Sequence, residues 1–209
     1  MLDCNFNCCI FRNENQCQNI RMQSKSDLVN ILGIIIMLSL CFLMGLLKYD
    51  LTNIFFSSSE SREFVRAFSV IDFIFGFSTP IMLYAFFVIT TYIMLIITDN
   101  NKSIKLYAKF LPIGFLPPFF STVLAYVVLT SIDYNDYVLL SQNSISNAEV
   151  KGVWSISLRT VKTFTTISYF FIYVYTFYII DKYYKTNTIT NLIITLLPSL
   201  IVMLLIQVF

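Results

Sequence analysis

The chain has 209 residues, of which 57% are hydrophobic and 12% are charged, and its mean hydropathy is +0.73. Soluble domains carry about 25% charged residues, so this composition excludes an ordinary water-soluble domain and predicts an integral membrane protein. A net charge of +2 without clustered bases gives no indication of nucleic-acid binding, and the lack of histidine removes the most common general base and metal ligand.

The first 27 residues are polar. This segment, residues 1–27, is too long for the basic region of a signal peptide, and we predict a retained cytoplasmic tail. Four of the five cysteines lie in it: Cys4, Cys8, Cys9 and Cys17. Their spacing does not match the paired ligands of a zinc site, and we predict neither a metal nor a cofactor. Zinc binding and acylation stay open as alternatives to a reduced tail.

Five runs without a charged residue follow the tail, and each has about the ~20 residues needed to cross a ~30 Å hydrocarbon core. The runs cover residues 28–47, 73–98, 110–132, 163–180 and 187–209. We therefore predict an all-α fold, a polytopic membrane helical bundle with five transmembrane helices. Phenylalanine and valine side chains among the charges of residues 48–68 predict a short additional helix that lies in the membrane interface.

The second run has an acid at its start and a helix-disturbing group in its first half. Asp72 directly precedes the run. An ionisable residue inside a membrane is a candidate functional residue, whereas one near the end of a span reaches the headgroups, and both readings stay open. Gly76, Ser78 and Pro80 predict a kink, because proline removes a backbone donor and clashes with a carbonyl of the preceding turn.

The third run is distinguished by three prolines: Pro112, Pro117 and Pro118. Because Pro118 also disfavours helical angles at the residue before it, we predict a break through residues 116–119. The carbonyls of residues 112–114 should then need donors from another helix or from water. We expect this run to be both the packing centre of the bundle and the segment most able to move.

Aromatic residues mark the second half of the chain. The longest connection, residues 133–162, contains Trp154, and tryptophan is typical of the membrane interface. In the fourth run, Tyr169 and Tyr173 share one face of a helix. Either these tyrosines line a polar conduit, or their hydroxyls make hydrogen bonds between helices, and we favour the second interpretation.

The distribution of lysine and arginine predicts the orientation. With five spans, the N-terminal tail and the second and fourth loops share one side and carry eight bases, against six on the other side. Because the bases of short loops are enriched on the cytoplasmic side, we predict a cytoplasmic N-terminus and an extracytoplasmic C-terminus. In a prokaryote this membrane would be the cell membrane.

Two passages carry a resemblance to a known family. In KSIKLYAKFLPIGFLPPFF, residues 102–120, a lysine-rich turn leads through a tyrosine to the prolines. In YFFIYVYTFYIIDKYYKTNTITNLII, residues 169–194, an aromatic span meets a lysine turn and then an uncharged span. The chain thereby resembles the Yip1 family of small five-pass membrane proteins. The resemblance implies a cytoplasmic N-terminus; a Rab-linked role is not implied, because the Asp-Leu-Tyr-Gly-Pro motif of the trafficking members is missing.

The sequence contains no Walker loop, dinucleotide-binding fingerprint or nucleophile elbow. We predict a non-enzymatic, Yip1-like membrane adaptor or organiser whose partners are the lipid bilayer and another membrane protein. The first alternative is a small transporter or permease-like subunit, with Asp72, the third run and the tyrosines of the fourth run along its path. The second alternative is a membrane immunity protein that occupies the target of a toxin.

Overall fold

Helices make up nearly all of the described chain. The computed structural model describes residues 14–55, 62–98, 103–132, 135–136, 150–184 and 187–197, and no strand occurs in these ranges. The helices are α1 (Glu14–Phe55), α2 (Arg62–Ile97), α3 (Lys105–Phe110), α4 (Leu116–Leu129), α5 (Leu158–Tyr184) and α6 (Thr188–Leu197). A 3-10 segment, Leu111–Phe115, joins α3 to α4. The predicted all-α class is confirmed.

Four helical stretches are long and apolar enough to cross a membrane. They are Asp27–Ile54, Glu63–Ile97, Lys105–Leu129 and Leu158–Tyr184. These stretches correspond to four of the five predicted runs, and their length and apolar composition are compatible with a membrane-embedded protein. The fifth run is described only over α6, which is too short to span, and residues 198–209 lie outside the described ranges. The five-helix count therefore stays a prediction.

The first two helices are longer than their apolar runs, with 42 residues in α1 and 36 in α2. The predicted interfacial helix in residues 48–68 is wrong, because α1 continues to Phe55 and α2 begins at Arg62. Lysine is a good helix former, and the Asp50 carboxylate accepts a hydrogen bond from the Tyr126 hydroxyl at 2.8 Å. The charges at residues 48–50 end the apolar run without ending the helix.

Two glycines allow α1 and α2 to pack closely. A Cβ atom on Gly76 would lie 2.5 Å from the carbonyl oxygen of Met44, and one on Gly45 would lie 2.8 Å from the Phe73 ring. Small residues at helix contacts let two backbones approach each other, which is a common source of packing energy in membranes. The helix α2 runs without interruption through Pro80, and the kink there stays a prediction.

The third span is interrupted, as predicted, but the predicted position is wrong. The interruption is the 3-10 segment Leu111–Phe115, whereas Pro117 and Pro118 lie in the first turn of α4. Proline is tolerated in the first turn of a helix, because the N–H groups of that turn have no partner within the helix. Pro117 and Pro118 have no N–H groups to bond the carbonyls of the turn before them. In that turn the Leu116 N–H bonds the Ile113 carbonyl, three residues earlier, as in a 3-10 helix.

The third span is the packing centre of the described fold, as predicted. Half of its most apolar window is buried, compared with 28% in each of the other three candidate spans. Tyr107, Leu111 and Phe115 expose no surface at all, and they pack with side chains of α1, α2 and α5 in the largest buried cluster. A second, smaller cluster around Val128 and Val161 joins α4 to α5.

Candidate functional site

Three hydroxyl groups from three helices meet in the interior beside the third span. Tyr107 on α3, Thr91 on α2 and Thr176 on α5 expose no surface, and the Tyr107 hydroxyl faces the other two. None of the three makes a hydrogen bond of normal geometry. We call this group the hydroxyl cluster. Each of the three hydroxyls can both donate and accept a hydrogen bond.

A tyrosine from α2 satisfies the backbone group that Pro112 leaves without its usual donor. In a regular helix the N–H of residue 112 would bond the carbonyl of residue 108, and proline has no N–H. The Tyr84 hydroxyl donates to the Ala108 carbonyl oxygen at 3.0 Å. The interruption of the third span is therefore tied to α2 by a hydrogen bond between helices.

The start of α3 is held in a similar way by α5. The Tyr184 hydroxyl donates to the Ser103 carbonyl oxygen at 2.9 Å and faces the backbone N–H of Tyr107. Near this end, the Lys109 ammonium forms an ion pair with Asp27 of α1 at 2.6 Å. Three helices thus fix the entry to the third span. We call this end of the molecule the lysine end, from residues 103–110 and 181–184.

The four predicted prolines have different surroundings. Pro112 and Pro118 are buried, Pro117 is half-buried, and Pro80 is buried on α2. A Cβ atom on Gly33 would lie 3.1 Å from the Pro112 side chain, so α1 packs directly against the interruption. On the other side, a Cβ atom on Gly114 would lie 2.9 Å from the Tyr175 ring of α5. The 3-10 segment is therefore packed between α1 and α5.

Asp72 pairs inside the bundle. It lies within α2, is half-buried, and accepts a hydrogen bond from the hydroxyl of Thr52 on α1. Close by, the Ser69 hydroxyl lies 2.9 Å from the side-chain oxygen of Asn53. These two contacts join α1 and α2 at the end of the molecule opposite the lysine end.

Tyr169 and Tyr173 are half-buried against the largest cluster. The Tyr169 hydroxyl lies 3.5 Å from the Met44 sulfur of α1, and the Tyr173 ring packs on Phe87 of α2 with 5.3 Å between ring centres. Both tyrosines therefore contact neighbouring helices at these positions. Sequence reasoning correctly put them on one face, although it did not identify the helices that they contact.

A buried serine pair joins α4 to α5 near the middle of the fold. The Ser121 and Ser168 hydroxyls lie 2.7 Å apart, and each also reaches a carbonyl on its own helix, that of Pro118 or that of Thr165. Because each hydroxyl has one hydrogen, only one of them can donate across the helices at a time. The remaining hydroxyl then donates to its own backbone.

The chemistry of this interior is hydrogen bonding between helices. Within the ranges given above, no group of three histidine, cysteine, aspartate or glutamate side chains could hold a metal ion. Sequence reasoning missed three of the residues that organise the bend: Tyr84, Tyr107 and Tyr184. One signal was available, since a proline at position 112 implies a carbonyl in need of a donor at position 108.

The described chain thus has an all-helical fold with four helical stretches of membrane-spanning length, the third of which contains a 3-10 segment. In comparisons with known proteins, no family model, curated protein or solved structure matches the chain. The resemblance to the Yip1 family consequently stays a prediction from the two passages that carry it.

Proposed function

We propose that this protein is a five-span membrane protein with a cytoplasmic N-terminus that acts, without catalysis, as a Yip1-like adaptor or organiser for another membrane protein. The observation that carries the proposal is the filled interior. Phe87, Tyr107 and Phe115 are at most 1% exposed, and they pack in the largest buried cluster between the helices. A bundle filled in this way is suited to presenting its outer surface to a partner.

The outer surface supports the same proposal. Large apolar side chains point away from the bundle on every long helix, among them Phe75 of α2, 65% exposed, and Phe170 of α5, 61% exposed. In a bilayer these side chains face lipid or the helices of another protein. The interior hydroxyls hold the helices of this chain together, which leaves the outer faces for partners.

Site-specific crosslinking tests the proposal. A photoreactive residue at Phe75 or Phe170 should crosslink to one membrane protein, and the same protein should copurify at a fixed stoichiometry after gentle solubilisation. A photoreactive residue at buried Phe87 is the matched control and should crosslink only within the chain. Crosslinks from the outer positions to lipid alone, together with purification of a single chain, would contradict the adaptor function.

The second candidate function is a small transporter, and one observation favours it. Asp72 is a half-buried carboxylate bonded to a hydroxyl of the neighbouring helix, and such a group is suited to binding a cation. A transporter requires that the helices around it separate, and the interrupted third span provides a place for that motion. The two functions differ in their dependence on this carboxylate.

A further inference from the structure

Residues 150–158, here called the Trp154 hairpin, form a tight antiparallel turn between α4 and α5. Backbone hydrogen bonds join its two arms, one of 3.0 Å from Gly152 to Ile156 and one of 3.1 Å from Leu158 to Val150. The hairpin is thus closed by hydrogen bonds of its own backbone.

The tip of the hairpin has a backbone conformation that its residues disfavour. Trp154 has φ 57° and Ser155 has φ 56°, and the Ile156 N–H closes the turn on the Val153 carbonyl at 3.3 Å. Two consecutive positive φ angles are those of a type I′ turn, which is usually built from asparagine and glycine. A side chain with a Cβ atom is strained there, and such strain persists only where surrounding contacts hold it.

Contacts at the base of the hairpin keep the tip in this conformation. The Val153 N–H donates to the Ser131 hydroxyl at 2.7 Å, and this hydroxyl donates to the Val128 carbonyl at 2.7 Å. A Cβ atom on Gly152 would lie 2.5 Å from the same Val128 carbonyl, so only glycine fits. The base is fixed to the end of α4, and it holds the tip in one orientation.

This rigid turn presents a tryptophan to the outside. Trp154 is 74% exposed, and it is the single tryptophan of the chain. An indole combines a large apolar ring with one N–H donor, which suits it to the layer between water and hydrocarbon. The hairpin lies just beyond the last residue of one candidate span, Leu129, and at the first residue of another, Leu158, which is where that layer begins.

Exposed bases lie on the hairpin and at the start of α5. Three bases expose their side chains on it or on the first two turns of α5: Lys151, Arg159 and Lys162. The sequence from Val150 to Ile180 contains no acid, whereas the connection before the hairpin contains Asp133, Asp136 and Glu149. Asp50, a carboxylate at this end of the molecule, accepts a hydrogen bond from Tyr126. Bases at a membrane surface attract anionic lipids, and the attraction falls off within a Debye length.

We propose that the Trp154 hairpin binds the headgroup layer of the bilayer, with the indole in the interface and the three bases on the phosphates of anionic phospholipids. The proposal rests on the membrane insertion proposed above and not on the adaptor role. The strained turn keeps the indole exposed, whereas a relaxed loop would let it fold back onto the protein.

The single tryptophan makes a direct test possible without added labels. The full chain is reconstituted in phosphatidylcholine vesicles that contain a fixed fraction of phosphatidylglycerol, and resistance to alkaline extraction shows that it has inserted. Bromine is then placed near the carbonyls of one lipid class at a time. We expect brominated phosphatidylglycerol to quench Trp154 more strongly than the same fraction of brominated phosphatidylcholine.

Substitution of the three bases together, Lys151→Gln, Arg159→Gln and Lys162→Gln, should make quenching by the two brominated lipids equal. Lys105→Gln is the matched control, because it removes an exposed base at the lysine end, and it should keep the difference. Inorganic phosphate added to vesicles without anionic lipid should leave the Trp154 emission unchanged.

Three results would overturn the proposal. Equal quenching of the wild-type protein by both lipids would show that anionic headgroups are not selected. Quenching by aqueous iodide but by neither lipid would place the indole in water or against a protein. A response to inorganic phosphate as large as that to anionic lipid would assign the bases to a soluble anion. Complete extraction of the chain by alkali would instead contradict membrane insertion itself.

Discussion

The hydroxyl of Tyr84 on α2 donates a hydrogen bond to the carbonyl oxygen of Ala108 at 3.0 Å. The bond has a cause in the sequence four residues further on, where Pro112 lacks the N–H that would otherwise bond that carbonyl. A broken span in the centre of a bundle is stable only if neighbouring helices satisfy the groups that the break exposes. At the interruption this donor is the Tyr84 hydroxyl of α2, while the Tyr184 hydroxyl of α5 bonds the Ser103 carbonyl at the start of α3.

Replacement of Asp72 by asparagine separates the two candidate functions. Asparagine keeps an oxygen that can accept the Thr52 hydroxyl but removes the charge. We expect the free energy of unfolding in detergent to fall by about 1 kcal/mol or less, because a charge-assisted hydrogen bond becomes a neutral one. Capture of the partner by the protein should be unchanged.

The matched control for this prediction is Asp50→Asn, which neutralises a carboxylate bonded to Tyr126. If Asp72→Asn abolishes activity in cells at normal protein abundance while Asp50→Asn does not, the carboxylate has a specific role and transport replaces the adaptor function.

Gly76 should not tolerate a methyl group. Alanine normally stabilises a helix by about 1 kcal/mol relative to glycine. Here the new Cβ atom would lie 2.5 Å from the Met44 carbonyl oxygen, so α1 and α2 would have to separate. We expect Gly76→Ala to lower the free energy of unfolding by about 1–3 kcal/mol, as overpacking does elsewhere. Ser78→Ala on the same helix is the control and should change stability little; a gain in stability from Gly76→Ala would contradict the close contact.

The strain at the hairpin tip has a measurable consequence. Glycine adopts positive φ without cost, so Ser155→Gly should raise the free energy of unfolding by roughly 0.5–1 kcal/mol, after the entropy that glycine gains in the unfolded chain is subtracted. Ser157→Gly makes the same change at a residue of negative φ whose hydroxyl accepts the Thr160 N–H at 3.3 Å, and it should be destabilising. Destabilisation by both changes would show that the tip is relaxed.

Cysteine accessibility tests the orientation. With five spans and a cytoplasmic N-terminus, a cysteine in place of Ser103 should be protected from an impermeant thiol reagent in intact cells, and one in place of Ser144 should react. The native cysteines are first replaced by serine, and labelling after permeabilisation provides the control for reactivity. Equal labelling at both positions in intact cells would contradict the five-span arrangement.

The sequence was sufficient to predict the helical class, four of the five proposed spans as long apolar helices, and a third span that is interrupted and central. These features follow from local composition and from proline chemistry, which act over a few residues. The bounds of α1 and α2 were not predictable from apolar runs, because Lys48 and Asp50 end a run without ending a helix. The partner of the Ala108 carbonyl was not predictable either, since the identity of the neighbouring helix depends on tertiary packing.

The position of the interruption in the third span was not predicted correctly either. The sequence indicated residues 116–119, where Pro117 and Pro118 stand, but the disturbance appears in the turn before them. A proline acts on the carbonyl four residues earlier, so the interruption should be sought upstream of the ring that causes it. Because Gly33 and Gly114 have no side chain, α1 and α5 can pack against the 3-10 segment.

A double-mutant cycle on Tyr84 and Pro112 is the most direct test of the claim that neighbouring hydroxyls stabilise the broken third span. Tyr84→Phe leaves the Ala108 carbonyl without a donor and should lower the free energy of unfolding by about 1 kcal/mol. In the Pro112→Ala background the restored N–H can bond that carbonyl, so Tyr84→Phe should cost almost nothing. Tyr92→Phe, which changes an exposed tyrosine on the same helix, should be neutral in both backgrounds. An equal cost of Tyr84→Phe with and without Pro112 would contradict the claim.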